Sequence, residues 1–207
     1  MTQSRDTALI VIDVQVDFCP GGALAVAHGD AVVAPINALM DRFAIVVLTQ
    51  DWHPAGHLSF ASSHPGKEPF EETAMPYGPQ TLWPDHCVQG TPGARFHPDL
   101  RTEPAQLVIR KGFRPEIDSY SAFFENDRRT VTGLNGYLTE RGVRRVVLAG
   151  LATDYCVRYS AIDAARLGYQ VGVVPAACRA IDLAGSLDAG MTEMAAAGVA
   201  LLEADTL

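Results

Sequence analysis

Cysteine is scarce in this chain and shows no pairing pattern. Cys19, Cys87, Cys156 and Cys178 are widely separated, with no C-x-x-C among the 207 residues. That spacing indicates neither a disulfide scaffold nor a zinc ribbon, so a reducing, cytoplasmic setting is expected. Long apolar runs are missing too: nothing approaches the ~20 residues a membrane span requires. The apolar run near the N-terminus, residues 7–14 (TALIVIDV), reads as a strand and not as the h-region of a signal peptide. Basic charge is also short, with 16 Lys and Arg against 24 Asp and Glu for a net charge of −8. This keeps the chain soluble and disfavours nucleic acid as a partner. No G-x-G-x-x-G opens the helix after the first strand, where VDFCPGG stands instead, so the dinucleotide fingerprint is absent. That counts against a non-catalytic nucleotide-binding domain.

What remains has an ordinary globular composition, 48% hydrophobic and 19% charged, with enough chain for one full core. Runs rich in Val, Ile and Leu without alternation read as strands buried on both faces. They occur at 7–14, 44–49, 106–110, 145–149 and 170–174, with a short final strand at 199–202. Helical spacing of apolar residues marks 29–41, 132–141, 153–168 and 183–197, with Asp30 placed to cap the first and Gly142 to close the second. Strands alternating with helices predict a three-layer α/β/α sandwich around a mostly parallel, Rossmann-like sheet. With no repeat or linker, residues 1–207 read as a single domain, whose exposed helices leave pairing between copies open.

One region departs from this rhythm. Residues 52–105 hold nine of the thirteen prolines and five of the six histidines. A long irregular stretch with clustered histidines is expected to form the wall of a site. A short helix fits at 95–100.

Residues 146–159, VVLAGLATDYCVRY, carry the first chemical signal. A buried strand runs into a turn and then a helix, which Thr153 or Asp154 can cap. Cys156 falls in the first turn, where unpaired N–H groups and the helix dipole favour a thiolate. A buried structural cysteine is the competing reading. Ligands of open parallel sheets bind beyond the carboxyl ends of the strands, and Asp13, Lys111 and Cys156 sit at three such ends. An acid, an ammonium and a thiol together suit nucleophilic acyl transfer, with a carboxylate to accept the thiol proton and an oxyanion held by N–H groups of Cys156 and the preceding turn, Ala152 included.

The second signal is Asp51-Trp52-His53. In extended chain, residues two apart project to one side, so carboxylate and imidazole can share one ion. His86 in WPDHCVQGT is the natural third ligand, with His57 or His64 as alternatives, while His28 and His97 read as surface residues. One carboxylate and two imidazoles suit Zn²⁺, Fe²⁺ or Mn²⁺, with zinc first. A purely structural zinc site is the competing reading.

Several of these stretches coincide with known motifs. ALIVIDVQVDFCPGGALAV, TQDWHPAGHLSF, WPDHCVQGTPGA, the RKG around Lys111, DSYSAF and GLATDYCVRYSAIDA resemble the isochorismatase-like cysteine hydrolases. Within that family they are most similar to the nicotinamidase (pyrazinamidase) branch. The resemblance implies an Asp13–Lys111–Cys156 triad, a metal held by Asp51, His53 and His86, and a cis peptide at Leu151-Ala152 that aims the Ala152 and Cys156 N–H groups at an oxyanion. Phe18, Trp83 and Tyr120, with Leu24, match positions lining a pocket for a flat pyridine ring. The implied activity is hydrolysis of the small molecule nicotinamide to nicotinate and ammonia, a step of NAD recycling, with pyrazinamide as a side substrate. A relative acting on another amide or an N-carbamoyl compound is the alternative within the family; such relatives generally lack the pyridine-binding metal.

Overall fold

The first strand explains why its sequence shows no alternation. Leu9 and Val11 face one hydrophobic cluster, Ala8, Ile10 and Ile12 face another, and all five are buried. A strand covered on both sides has no polar face to reveal. The computed structural model describes residues 4–207. In chain order it contains β1 (Thr7–Ile12), α1 (Val33–Met40), β2 (Ile45–Asp51), β3 (Glu72–Met75), β4 (Gly78–Thr81), β5 (Leu107–Lys111), α2 (Leu134–Glu140), β6 (Arg145–Leu151), α3 (Arg158–Arg166), β7 (Gln170–Arg179), α4 (Ser186–Ala196) and β8 (Ala200–Leu201).

Six of these strands form one sheet in the order β5-β2-β1-β6-β7-β8, with every neighbouring pair parallel. The chain builds outward from β1 through β2 to β5, then returns to β6 on the other side of β1. This reversal opens a crevice at the carboxyl ends of β1 and β6. The expected α/β sandwich is present, with an uneven cover. One face packs against α2, α3 and α4 through Leu134, Leu138, Ala161, Ala164 and Met194. The other packs against α1 and against Trp83, Cys87, Ala94 and Leu100 of the irregular region, which stands where further helices would otherwise lie.

The structure corrects several local expectations. Residues 95–100 are irregular, with one isolated bridge from Phe96 to Gln15, and form no helix; Gly93 and Arg95 instead use their carbonyls to hold Asp17 and Val16 of the loop after β1. The irregular region contains an antiparallel ribbon, β3 with β4, whose Pro79 and alternating exposure hid it in the sequence. Strand β7 runs ten residues, to Arg179, through Pro175. Asp30 makes no cap; a short 3₁₀ turn at Gly29–Val32 leads into α1 instead. Neither Thr153 nor Asp154 caps the helix bearing Cys156, which opens as a π-helical turn over Thr153–Val157. The Asp154 carboxylate instead accepts the N–H groups of Ile181 (3.0 Å) and Asp182 (2.8 Å) and the Ser186 hydroxyl, tying this turn to the segment after β7. No helix among the described residues is long and apolar enough to cross a membrane.

Close backbone approach governs the crevice. Gly150 has φ +128°, and a Cβ there would lie 2.1 Å from the Ile12 carbonyl oxygen. A side chain would therefore force β6 away from β1 where both enter the crevice. Gly150→Ala is expected to destabilise the fold by roughly 3 kcal/mol, combining positive-φ strain with overpacking. Gly142→Ala, at φ +70° with no atom within 4 Å, should cost only about 1 kcal/mol. Urea denaturation of both variants checks this, and equal midpoint shifts would show that the close approach is not limiting.

Candidate active site

Parallel pairing decides which side chains meet. Asp51 and Lys111 end β2 and β5 in direct register, so their side chains leave the sheet on the same side. Asp13 follows β1 at φ +47°, a left-handed conformation that aspartate tolerates better than most residues. Its N–H donates to the Thr49 hydroxyl (3.1 Å), and that hydroxyl donates back to Asp13 Oδ1 (2.6 Å). Cys156 arrives from the turn after β6, where the Leu151-Ala152 peptide is cis, as the family resemblance implied. The N–H groups of Tyr155 and Val157 both donate to the Ala152 carbonyl, at 3.1 Å each, locking the turn on either side of Cys156.

These residues converge on a single ammonium. Lys111 is fully buried, and its Nζ lies 2.7 Å from Asp51 Oδ1, 2.9 Å from Asp13 Oδ2, 2.7 Å from the Ser119 carbonyl oxygen and 3.6 Å from Cys156 Sγ. Burial pulls the Lys111 pKa down, but the two carboxylates outweigh it and hold the group well above its ordinary value. Burial pushes Asp51 up, yet Lys111 and His53 bring it well below the usual carboxylate range. Asp13 goes the other way: burial raises it, Lys111 lowers it, the Asp51 charge raises it again, and the net shift is upward. Its Oδ2 lies 2.9 Å from the Lys111 ammonium, and the Cys156 thiol is hydrogen-bonded to the same carboxylate. An oxygen so placed is available to take a proton.

Cys156 departs from the expectation of a lowered pKa. Burial pushes its thiol well up, and Lys111 only partly opposes this because the carboxylates of Asp13 and Asp51 also act on it. Formation of a thiolate there therefore calls for transfer of the proton to a neighbouring base.

Asp51, His53 and His86, all buried, form the group of potential metal ligands, with their donor atoms within 4.8 Å of one another. His53 Nδ1 donates to the Gly112 carbonyl (2.8 Å) and His86 Nδ1 to the Pro84 carbonyl (2.8 Å). Both Nε2 atoms are thereby turned toward Asp51 Oδ2, at 3.2 Å and 3.4 Å. Backbone carbonyls that fix the tautomer of each imidazole are the usual outer support of a metal site, and this donor set fits one divalent ion. His57 stands outside it. The Ser59 N–H donates to His57 Nδ1 (3.0 Å) and His57 Nε2 faces the Ile117 carbonyl (3.3 Å), so both ring nitrogens are engaged. His64 Nε2 is likewise engaged by the Leu58 carbonyl, at 2.8 Å.

A cavity joins the two centres. It is lined by Asp51 and His86 of the ligand set, by Cys156 and Ala152, and by Phe18, Leu24, Trp83 and Tyr120. Trp83 stands edge-on to Tyr155 with ring centroids 5.0 Å apart, and Trp83 Nε1 donates to the Tyr120 hydroxyl at 3.1 Å. All four residues assigned to a pyridine pocket therefore meet in one place. Asp118, Tyr155 and Ile181 also line the cavity and were not among the residues singled out. Asp118 lies within the recognised DSYSAF stretch and Tyr155 adjoins Cys156, whereas nothing local marks Ile181, which is placed by its hydrogen bond to Asp154.

Gly112 connects the strand end to the ligand set. At φ +66°, its absent Cβ would lie 2.5 Å from His53 Cε1. Gly112→Ala is expected to displace the imidazole and weaken divalent-metal binding by about ten- to a hundredfold, as outer-support changes do. Competition with a chromogenic chelator measures this; wild-type affinity in the variant would show that the ring's position is set elsewhere.

Comparison with known proteins places this geometry in context. The family model described as Isochorismatase domain matches residues 7–206. A nicotinamidase from Acinetobacter baylyi is 56% identical over 199 residues, covering 96% of this chain and 93% of its own. The solved structure of an Acinetobacter baumanii nicotinamidase/pyrazinamidase is similar with a TM-score of 0.98 at 53% identity, covering 100% of both chains. A pyrazinamidase of Pyrococcus horikoshii, solved in complex with zinc, is similar with a TM-score of 0.77 at 36% identity, covering 96% of this chain and 99% of its own. By a family match over nearly its whole length and by identity to these relatives, the chain belongs to the isochorismatase family.

Proposed function

We propose that this protein is a nicotinamide amidohydrolase that releases ammonia from nicotinamide through a thioester on Cys156, and that it also hydrolyses pyrazinamide. The observation that carries this reading is the cavity in which the Cys156 thiol and the Asp51–His86 edge of the ligand set face a common space walled by aromatic rings. A flat heteroaromatic amide has two ends to recognise, a ring nitrogen and a carboxamide, and this space offers a different chemistry at each.

Asp51, His53 and His86 would hold the ion, most simply Zn²⁺, with Fe²⁺ and Mn²⁺ also suited to the donors. When bound, such an ion would supply a Lewis acid suited to a ring nitrogen. The remaining chemistry belongs to the chain's own residues. Asp13 accepts the Cys156 proton, its burial and the neighbouring Asp51 charge raising its proton affinity against the opposing contacts of Lys111 and Thr49. The thiolate attacks the amide carbon, and the N–H groups of Ala152 and Cys156 receive the oxyanion. Asp13 returns its proton to the departing nitrogen, and ammonia leaves as the C–N bond breaks. A water molecule, giving one proton to Asp13, then adds to the thioester carbonyl; the C–S bond breaks, the proton on Asp13 goes to sulfur, and nicotinic acid departs and ionises to nicotinate. Throughout, Lys111 stays charged and balances whichever neighbour carries the negative charge.

Cys156→Ala is expected to reduce ammonia release from nicotinamide by at least ~10⁴-fold, as loss of a nucleophile does, while circular dichroism and metal content stay at wild-type values. Residual turnover within tenfold of wild type would rule out the thiol route. For the purified wild-type enzyme, chelation should stop ammonia release and metal add-back should restore it without refolding. Chelation that unfolds the chain would instead identify a structural ion. Turnover confined to N-carbamoyl substrates would reassign the substrate and leave the cysteine chemistry in place.

A further inference from the structure

Asp118 lies outside both the ligand set and the triad, yet its environment has the form of a metal support. It is 2% exposed and lines the same cavity as Asp51, His86 and Cys156. Its Oδ2 accepts from Gln80 Nε2 (2.8 Å), and its Oδ1 accepts the Ser119 N–H (2.8 Å) while lying 4.0 Å from His53 Nε2. That Nε2 is the nitrogen that the Gly112 carbonyl, by engaging Nδ1, leaves for an ion. Asp118 falls outside the set of donor atoms that all lie within 4.8 Å of one another, so its carboxylate stands beside the ligand set without joining it, a placement from which it can reach an ion's shell through one water.

Formal charge supports the same assignment. Around the thiol, Asp13 and Asp51 bring two negative charges and Lys111 one positive, and Asp51 already shares its charge with Lys111 through Oδ1. One net negative charge therefore faces a dication. Among the described residues no lysine or arginine pairs with Asp118, whose only ion-pair neighbour is His53. A buried carboxylate without a cationic partner is costly; a dication beside it removes that cost and completes the charge balance of the pocket.

We propose that Asp118 is a positioning residue of the metal centre, supplying the second compensating charge and accepting a hydrogen bond from water in the ion's shell. The proposal rests on the metal reading above. It also gives the β3–β4 ribbon a role, because Gln80 of β4 anchors Asp118 and donates as well to the Tyr120 hydroxyl of the ring pocket, at 2.9 Å.

The test measures Zn²⁺ affinity of the full-length protein by chelator competition, independently of turnover, for wild type, Asp118→Asn, Asp118→Glu, Gln80→Ala and Asp51→Ala. Asp118→Asn is expected to raise the Zn²⁺ Kd by about ten- to a hundredfold with the apoprotein melting temperature unchanged, and Asp118→Glu should recover part of the loss. Gln80→Ala keeps the charge but frees the carboxylate, so a smaller increase in Kd is expected; it also serves if Asp118→Asn does not fold. Wild-type Kd in both Asp118→Asn and Gln80→Ala, while Asp51→Ala loses metal, would overturn the role of Asp118 alone. Wild-type Kd in Asp51→Ala as well would overturn the metal site itself.

Discussion

The buried ammonium of Lys111 is the constraint on which this site depends. It touches residues carried by β1, β2, the turn after β6 and the 119 loop, with no solvent exposure. A lone buried ammonium would lose its proton. Here two carboxylates hold it charged, and it in turn permits those carboxylates to be buried beside each other. The acids depend on the ammonium: removing it would leave two carboxylates uncompensated in the interior, and breaking a comparable buried pair costs about 3–5 kcal/mol. Their arrangement also separates the two acids chemically. Asp51 is driven well down and remains an anion suited to an ion, whereas Asp13 is driven up toward a group that can accept and return a proton.

Asp51 therefore links two centres that would otherwise be independent. One of its oxygens serves Lys111 and the other faces the imidazoles of His53 and His86. The imidazoles and the ammonium that contacts the thiol are thus joined through one carboxylate, so a charge held beside the imidazoles would alter the field at the thiol. Across the cavity this geometry suits a substrate with recognition at one end and reaction at the other.

The irregular region needs its own means of staying in place, since it has few regular hydrogen bonds. The loop after β1 provides them. Gln15 donates to the Asp51 and Ala94 carbonyls at 2.8 Å and 3.0 Å and accepts the Asp51 N–H at 2.8 Å. Asp17 accepts the Cys87 N–H at 2.7 Å, beside His86, and packs where a Cβ on Gly93 would collide with it at 2.1 Å. A proline-rich wall is thereby fastened to the sheet through polar side chains of its first loop, and His86 takes its position from those bonds.

Much of this protein was legible in the sequence because its signals are local. Continuous apolar runs marked the buried parallel strands, and residues just past those runs had to lie at the carboxyl edge of the sheet, which is why Asp13, Lys111 and Cys156 could be grouped. The spacing of Asp51 and His53 was readable for the same reason, and the motifs around His86 supplied its partner. Tertiary structure alone decided the rest. The raised pKa of Cys156 follows from burial beside two carboxylates that arrive from other strands, which no helix-terminal rule contains. The freedom of Asp154 from capping, the wall position of Ile181 and the engagement of both His57 nitrogens depend on contacts between segments distant in the chain. Local propensity determined which elements form and where their ends fall; the pairing of those ends determined the charge, tautomer and reach of each side chain that the chemistry uses.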